Sequence, residues 1–106
     1  MLQAAEIEQT KQAIRQALYQ VYDPELGVNI VDLGLVYGIA VNTEGFVSLT
    51  MTLTTPGCPM HEALGDGVGA ALQGIPGLTG GEIALVWEPR WTPDMLSEEG
   101  RRQLGF

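Results

Sequence analysis

The chain has 106 residues, one cysteine, one histidine and a formal net charge of −8. That length suits one domain, read here as residues 1–106 with a C-terminal tail over 89–106. No apolar run approaches the roughly 18 residues of a membrane span, and a lone thiol offers no disulfide framework, so a reducing cytoplasm is the expected compartment. All five cations lie near the ends, at Lys11, Arg15, Arg90, Arg101 and Arg102. The stretch from Gln16 to Pro89 therefore carries the whole excess of negative charge: Asp23, Glu25, Asp32, Glu44, Glu62, Asp66, Glu82 and Glu88. Such a body repels a phosphate backbone, which argues against nucleic acid, and suits metal ions or a basic protein partner.

In chain order, residues 5–21 read as an amphipathic helix. Ile7, Ile14, Leu18 and Val21 recur at helical spacing with Ala13 and Ala17 beside them. Glu8 and Lys11 pair at i,i+3 on the polar face. The pattern stops at Asp23-Pro24, because proline disfavours helical geometry in the residue before it. Asp23 to Gly27 is a turn, and the apolar connection from Val28 to Gly34 should pack inward. Asp32, inside it, suits a cap, a turn former or a site residue, and spacing does not choose among them.

Leu35 to Val41 reads as a strand, with Leu35, Tyr37, Ile39 and Val41 on one face. Asn42 to Gly45 makes a hairpin turn. Phe46 to Thr54 alternates strictly: Val47, Leu49, Met51 and Leu53 toward the core, Ser48, Thr50, Thr52 and Thr54 toward water. A second helix should start at or near Pro59, with Met60, Leu64, Val68, Ala71 and Leu72 as its apolar stripe. Gly65, Gly67 and Gly69 weaken it by roughly 1 kcal/mol each, which suggests a sheet, loop or second subunit packed closely against it. Glu82 to Trp87 is a third strand, and Thr92 and Ser97 are candidate starts for a short final helix that Gly105 would end. Trp91 either pins the tail to the domain or faces a partner. The order α-β-β-α-β-α predicts a two-layer α+β domain, a three-stranded sheet with helices packed on one face. The third strand should run parallel to the second, beside it or beside the first, and either sheet edge could serve a homodimer.

The chemistry concentrates in Thr54-Thr55-Pro56-Gly57-Cys58-Pro59-Met60-His61. A thiol at a strand-to-helix turn can reach the free N–H groups of the first helical turn, which stabilise a thiolate. Gly57 permits close approach of a ligand, and Thr54 and Thr55 can point hydroxyls into the turn. The structural alternative is a small buried cysteine that fills space. His61 lies at i+3 from Cys58, but two ligands fall short of the four of a closed zinc site. A labile metal or a shared cluster fits better, and His61 reads as a solvated helix residue. The T-x-x-C spacing of Thr55 and Cys58 also occurs in peroxiredoxins, whose fold needs a longer chain and a different element order.

Four motifs together carry a resemblance: Asp23-Pro24-Glu25, Val31-Asp32-Leu33-Gly34-Leu35-Val36, Thr54-Thr55-Pro56-Gly57-Cys58-Pro59, and the tail from Trp91 to Glu99. In their order and near-complete coverage the chain resembles the MIP18 family, formerly the domain of unknown function DUF59. That family holds SufT-type iron–sulfur maturation factors, PaaD-type proteins of phenylacetate degradation and cytosolic targeting factors. The resemblance implies an iron–sulfur-assembly α+β fold and an accessory role in cluster maturation or delivery, without enzymatic activity. It implies Cys58 as the functional thiol and transient metal ligand, with Asp23 and Glu25 lining the same site beside Thr54, Thr55 and Gly57. No permanent cofactor is implied, only transient iron or an iron–sulfur cluster. The implied partners are the assembly machinery or client apo-proteins. One departure is the run Pro89-Arg90-Trp91, where the family often has two prolines before the tryptophan. It bears on tail docking or partner choice, and makes Arg90 and Trp91 the candidate partner contacts. A PaaD-type interaction subunit of a multicomponent oxygenase is the alternative, weakened by the lack of a cysteine-bearing extension after Phe106. A thiol enzyme with His61 as base to Cys58 ranks last, because no third group is in view to orient the base.

Overall fold

In the computed structural model of the chain, residues 1–54 and 61–105 are described, save for the side chains of residues 61–63. The elements are α1 (Ala4–Leu18), β1 (Val36–Val41), β2 (Phe46–Met51), α2 (His61–Leu72), β3 (Gly80–Leu85), a single 3₁₀ turn (Pro93–Met95) and α3 (Glu98–Leu104). The predicted α+β order holds. The sheet runs β1-β2-β3, with β1 antiparallel and β3 parallel to β2. That places the third strand beside the second and leaves β1 and β3 as the edges.

α1 is shorter than its hydrophobic spacing suggests. Ile14 and Leu18 are fully buried, Ala13 stays exposed, and the helix ends at Leu18 rather than Val21. The backbone leaves helical geometry because Val21 and Tyr22 are claimed by the next turn. Ile30 N–H donates to Val21 O at 2.9 Å, Asp23 N–H to Val28 O at 3.0 Å, and Tyr22 bridges Asn29. These two hydrogen bonds, which together form the Tyr22–Asn29 bridge, pair the backbone of the turn in place of further helical bonds. The connection beyond packs inward as its composition predicts: Val28, Ile30, Leu33 and Leu35 are all buried.

The hairpin closes through Asn42, whose Oδ1 accepts the N–H groups of Glu44 and Phe46, while Gly45 takes a φ of +84°. Val47, Leu49 and Met51 form the core face of β2. Their cross-strand neighbours on β1 are not the expected set. Val36 pairs with Met51 but Gly38 pairs with Thr50, so two residues oppose one and Tyr37 bulges out of the ladder. Val36, Ile39 and Val41 thereby share the face of Met51, Leu49 and Val47, and Tyr37 leaves it. Its hydroxyl donates to Pro89 O at 2.6 Å instead.

A second departure is Thr52. Alternation placed its hydroxyl toward water, yet Thr52, just past the end of β2 at Met51, is fully buried where its backbone meets the apolar connection at Leu35. Thr52 N–H donates to Leu35 O at 2.9 Å. On α2, Leu64 and Val68 are buried, and an added Cβ at Gly67 would lie 3.4 Å from Val21. Gly65 and Gly69 face open space, so the close neighbour expected against all three glycines exists at one only. β3 begins and ends two residues earlier than predicted, and every residue in it is exposed.

Candidate functional site

The tail is fixed from the connection upward. Asp32 is buried, and Ser97 and Asn29 each donate a hydrogen bond of 2.6 Å to its carboxylate, Ser97 Oγ to Oδ1 and Asn29 Nδ2 to Oδ2. Asn29 Oδ1 accepts Asp32 N–H in return, and Asp32 O accepts Ser97 N–H at 2.9 Å. Ser97 Oγ also accepts Gly100 N–H at 3.0 Å, which makes it the N-cap of α3. Gly100 packs so closely that a Cβ there would lie 2.6 Å from Asp32 O. The structure makes Asp32 an anchor for the tail, a role outside the cap, turn-former and site-residue alternatives that the sequence offered.

Trp91 is half-buried against the core and donates its indole N–H to Leu33 O at 2.6 Å. Its polar end is therefore used within the chain, the pinning role of the two considered. Arg90 beside it is exposed. Gly34, at a φ of +78°, would bring a Cβ within 2.3 Å of Met95 O, so only glycine lets the 3₁₀ turn sit there. The motif 31–36 thus works as the receptor for the motif 91–99.

Asp23 is also buried. Its Oδ1 accepts the backbone N–H groups of Glu25 at 2.8 Å and Leu26 at 3.1 Å, and Gly27 N–H returns to Asp23 O. This is an Asx-type turn, and it explains an aspartate before proline in purely local terms. Glu25 extends from the same turn with its side chain exposed. Val21, which leads into the turn, lies against Gly67, and so sets the turn beside α2.

Thr54 is half-buried at the end of the stretch that follows β2. Thr55, Gly57 and Cys58 lie outside the described residues, as does the predicted helix start at Pro59. His61 opens α2 as described. Leu53 and Leu64, which precede and follow this stretch in sequence, are both buried. Among the described residues, no group of three or more His, Cys, Asp or Glu side chains could hold a metal ion. Also among them, no helix is long and apolar enough to cross a membrane. The Asx turn and the Asp32 anchor were open to sequence reasoning only in part. Aspartate before Pro-Glu signals a turn, but nothing local signals a serine 65 residues away.

A family model described as "Iron-sulfur cluster assembly protein" matches residues 11–85. A protein of Porphyromonas gingivalis named "Fe-S protein maturation auxiliary factor" is 45% identical over 101 residues, 95% of this chain and 96% of the relative. The "Fe-S protein maturation auxiliary factor SufT" of Staphylococcus aureus is 47% identical over 85 residues, covering 80% of this chain and 97% of that one. A crystal structure of a domain of unknown function, DUF59, from Bacillus anthracis superposes with a TM-score of 0.92 at 34% identity, over 98% of this chain and 99% of that chain.

Proposed function

The chain belongs to the iron–sulfur cluster assembly protein family, and from that premise we propose that it is an accessory factor in the maturation or delivery of iron–sulfur clusters. The observation that carries this reading is likeness along nearly the whole chain to proteins named maturation auxiliary factors. Iron or a cluster is cargo here and not a resident cofactor. Cys58 is the group assigned to touch it, or to touch the client receiving it. A thiolate is the ligand iron–sulfur clusters take from proteins, and the start of a helix is a setting that favours a thiolate. One thiol supplies one ligand where a cluster takes four, so contact is transient and completed by the donor, the client or both. The named relatives are auxiliary factors, and the reading assigns no catalytic step to this chain. Thr54, Thr55, Gly57, Asp23 and Glu25 are assigned to the surroundings of the thiol. For Asp23 the support is indirect: it shapes the turn that carries Glu25 and lies beside α2.

The test is anaerobic incubation of the purified protein with ferrous iron and sulfide, followed by addition of a client apo-protein. Cluster absorbance and client activity are the readouts. Cys58→Ala should lose cluster uptake and slow client maturation by at least about tenfold, the order expected for removal of a metal ligand or its support. Uptake and maturation equal to the parent chain would end the thiol assignment.

A further inference from the structure

Tyr37 joins β1 to the tail at two points. The bulge turns it out of the ladder, and its hydroxyl meets two acceptors, Pro89 O at 2.6 Å and Met95 Sδ at 3.3 Å. A phenol carries one proton, so it serves one acceptor at a time. The carbonyl is both the nearer and the stronger acceptor, and it takes the proton. A thioether sulfur accepts only weakly, so Met95 holds its place by packing.

The backbone of Met95 is fixed. It ends the 3₁₀ turn, its N–H donates to Thr92 O at 3.0 Å, and Leu96 after it is buried. One carbon added at Gly34 would sit 2.9 Å from Met95 Cβ, so the residue is pressed against the motif that receives the tail. Its side chain is nonetheless only half-buried, open to a molecule as small as a peroxide. Of the other described methionines, Met51 is closed off in the core at 2% exposure and Met1 stands in solvent at 95%. Met95 alone among the described methionines is both reachable and seated at a junction between elements.

We propose that Met95 is a peroxide-sensitive modification site that controls docking of the tail: its sulfoxide takes the Tyr37 hydroxyl from Pro89 O and loosens the segment 89–95. In the reaction a sulfur lone pair attacks one oxygen of hydrogen peroxide. The S–O bond forms as the O–O bond breaks, sulfur is oxidised by two electrons, and the peroxide is reduced to water, its departing hydroxide keeping the proton of the transferred OH. The product is polar and its oxygen is a strong acceptor, and a sulfoxide reductase reverses the change. With Sδ and the hydroxyl 3.3 Å apart, an oxygen added on that side has room only as an acceptor of the Tyr37 proton. Pro89 O then loses its partner on β1 and turns to water, which its exposed position supplies. The Ser97–Asp32 anchor lies beyond Met95 and stays, so the tail loosens at its upstream leg, which carries Arg90 and Trp91. None of this involves Cys58, so a failure here and a failure of the thiol assignment are separate results.

The test treats the full chain, as Trp87→Phe so that Trp91 is the sole tryptophan, with hydrogen peroxide. Catalase then removes the peroxide, and dithiothreitol returns a sulfenic acid or disulfide to the thiol while leaving methionine sulfoxide in place. Peptide mass spectrometry should find Met95 oxidised while Met51 is still reduced. Acrylamide quenching of Trp91 should rise at least about 1.5-fold, with far-UV circular dichroism unchanged, and should return to its starting value after treatment with methionine sulfoxide reductases. Met95→Leu should abolish the rise. Tyr37→Phe should be quenched more from the outset, and oxidation of its Met95 should add nothing, because no proton is contested. Oxidised Met95 without a change in quenching, or a rise that persists in Met95→Leu, overturns the proposal. Quenching that falls on oxidation also overturns it, since the sulfoxide would then tie the tail more tightly. A Met95 that stays reduced until Met51 reacts shows that the sulfur is out of reach in the folded chain, and overturns it as well.

Discussion

Replacing Ser97 by alanine should release the tail, because one hydroxyl holds two structures together. Its oxygen accepts Gly100 N–H at the start of α3, a cap contributing about 1 kcal/mol. Its hydrogen goes to the buried carboxylate of Asp32 at 2.6 Å, a bond to an acidic group of about 1.5–3 kcal/mol. The two share one side chain and are not fully additive, so the expected loss is about 2–4 kcal/mol. That is a large share of the roughly 5–15 kcal/mol available to a domain of this size. Urea titration in a Trp87→Phe background leaves Trp91 as the sole tryptophan, and its indole is bonded to Leu33 O within the docked tail. In Ser97→Ala the Trp91 fluorescence transition should move to lower urea, ahead of the far-UV circular dichroism transition that reports the remainder. A double-mutant cycle with Asp32→Asn should return a coupling energy above about 1 kcal/mol. A change within about 0.5 kcal/mol, or no coupling, would refute the anchor role of Asp32.

The Thr52 hydroxyl is buried and has no hydrogen-bond partner among the described residues. Thr52→Val keeps the branched shape and removes the orphan group, and should stabilise the chain by about 1 kcal/mol in the same titration; a destabilised variant would mean that the hydroxyl has a partner in solution. Gly100→Ala forces a methyl to within 2.6 Å of Asp32 O and should cost about 1–3 kcal/mol, despite the higher helix propensity of alanine. A more stable Gly100→Ala protein would show that α3 does not pack as described.

Much of the local structure follows from the sequence because its causes are local. The hairpin at Asn42 to Gly45 needs an amide side chain and a positive φ within four residues, and the sequence supplies both. Ser97 and Gly105 mark the ends of α3 for the same kind of reason. Alternation in β2 identified its core face, since one face of an antiparallel pair must be buried. The acid at position 32 stayed ambiguous because its partner is 65 residues distant, and no local rule connects the two.

What the tertiary structure alone decided are matters of long-range pairing. The bulge at Tyr37 reassigned the faces of β1, and it gains a contact to Pro89 that lies 52 residues on. The burial of Thr52 depends on where the connection 28–35 passes, not on the pattern of β2. The position of β3 beside β2 fixed which edge is free, and the reach of α1 and α2 determined that Ile83 and Leu85 remain uncovered. The sequence by itself determined the element order, the family and the acidic character of the body. Those depend on residue type and short-range geometry, whereas docking of the tail and exposure of β3 depend on which surfaces meet after the chain has closed.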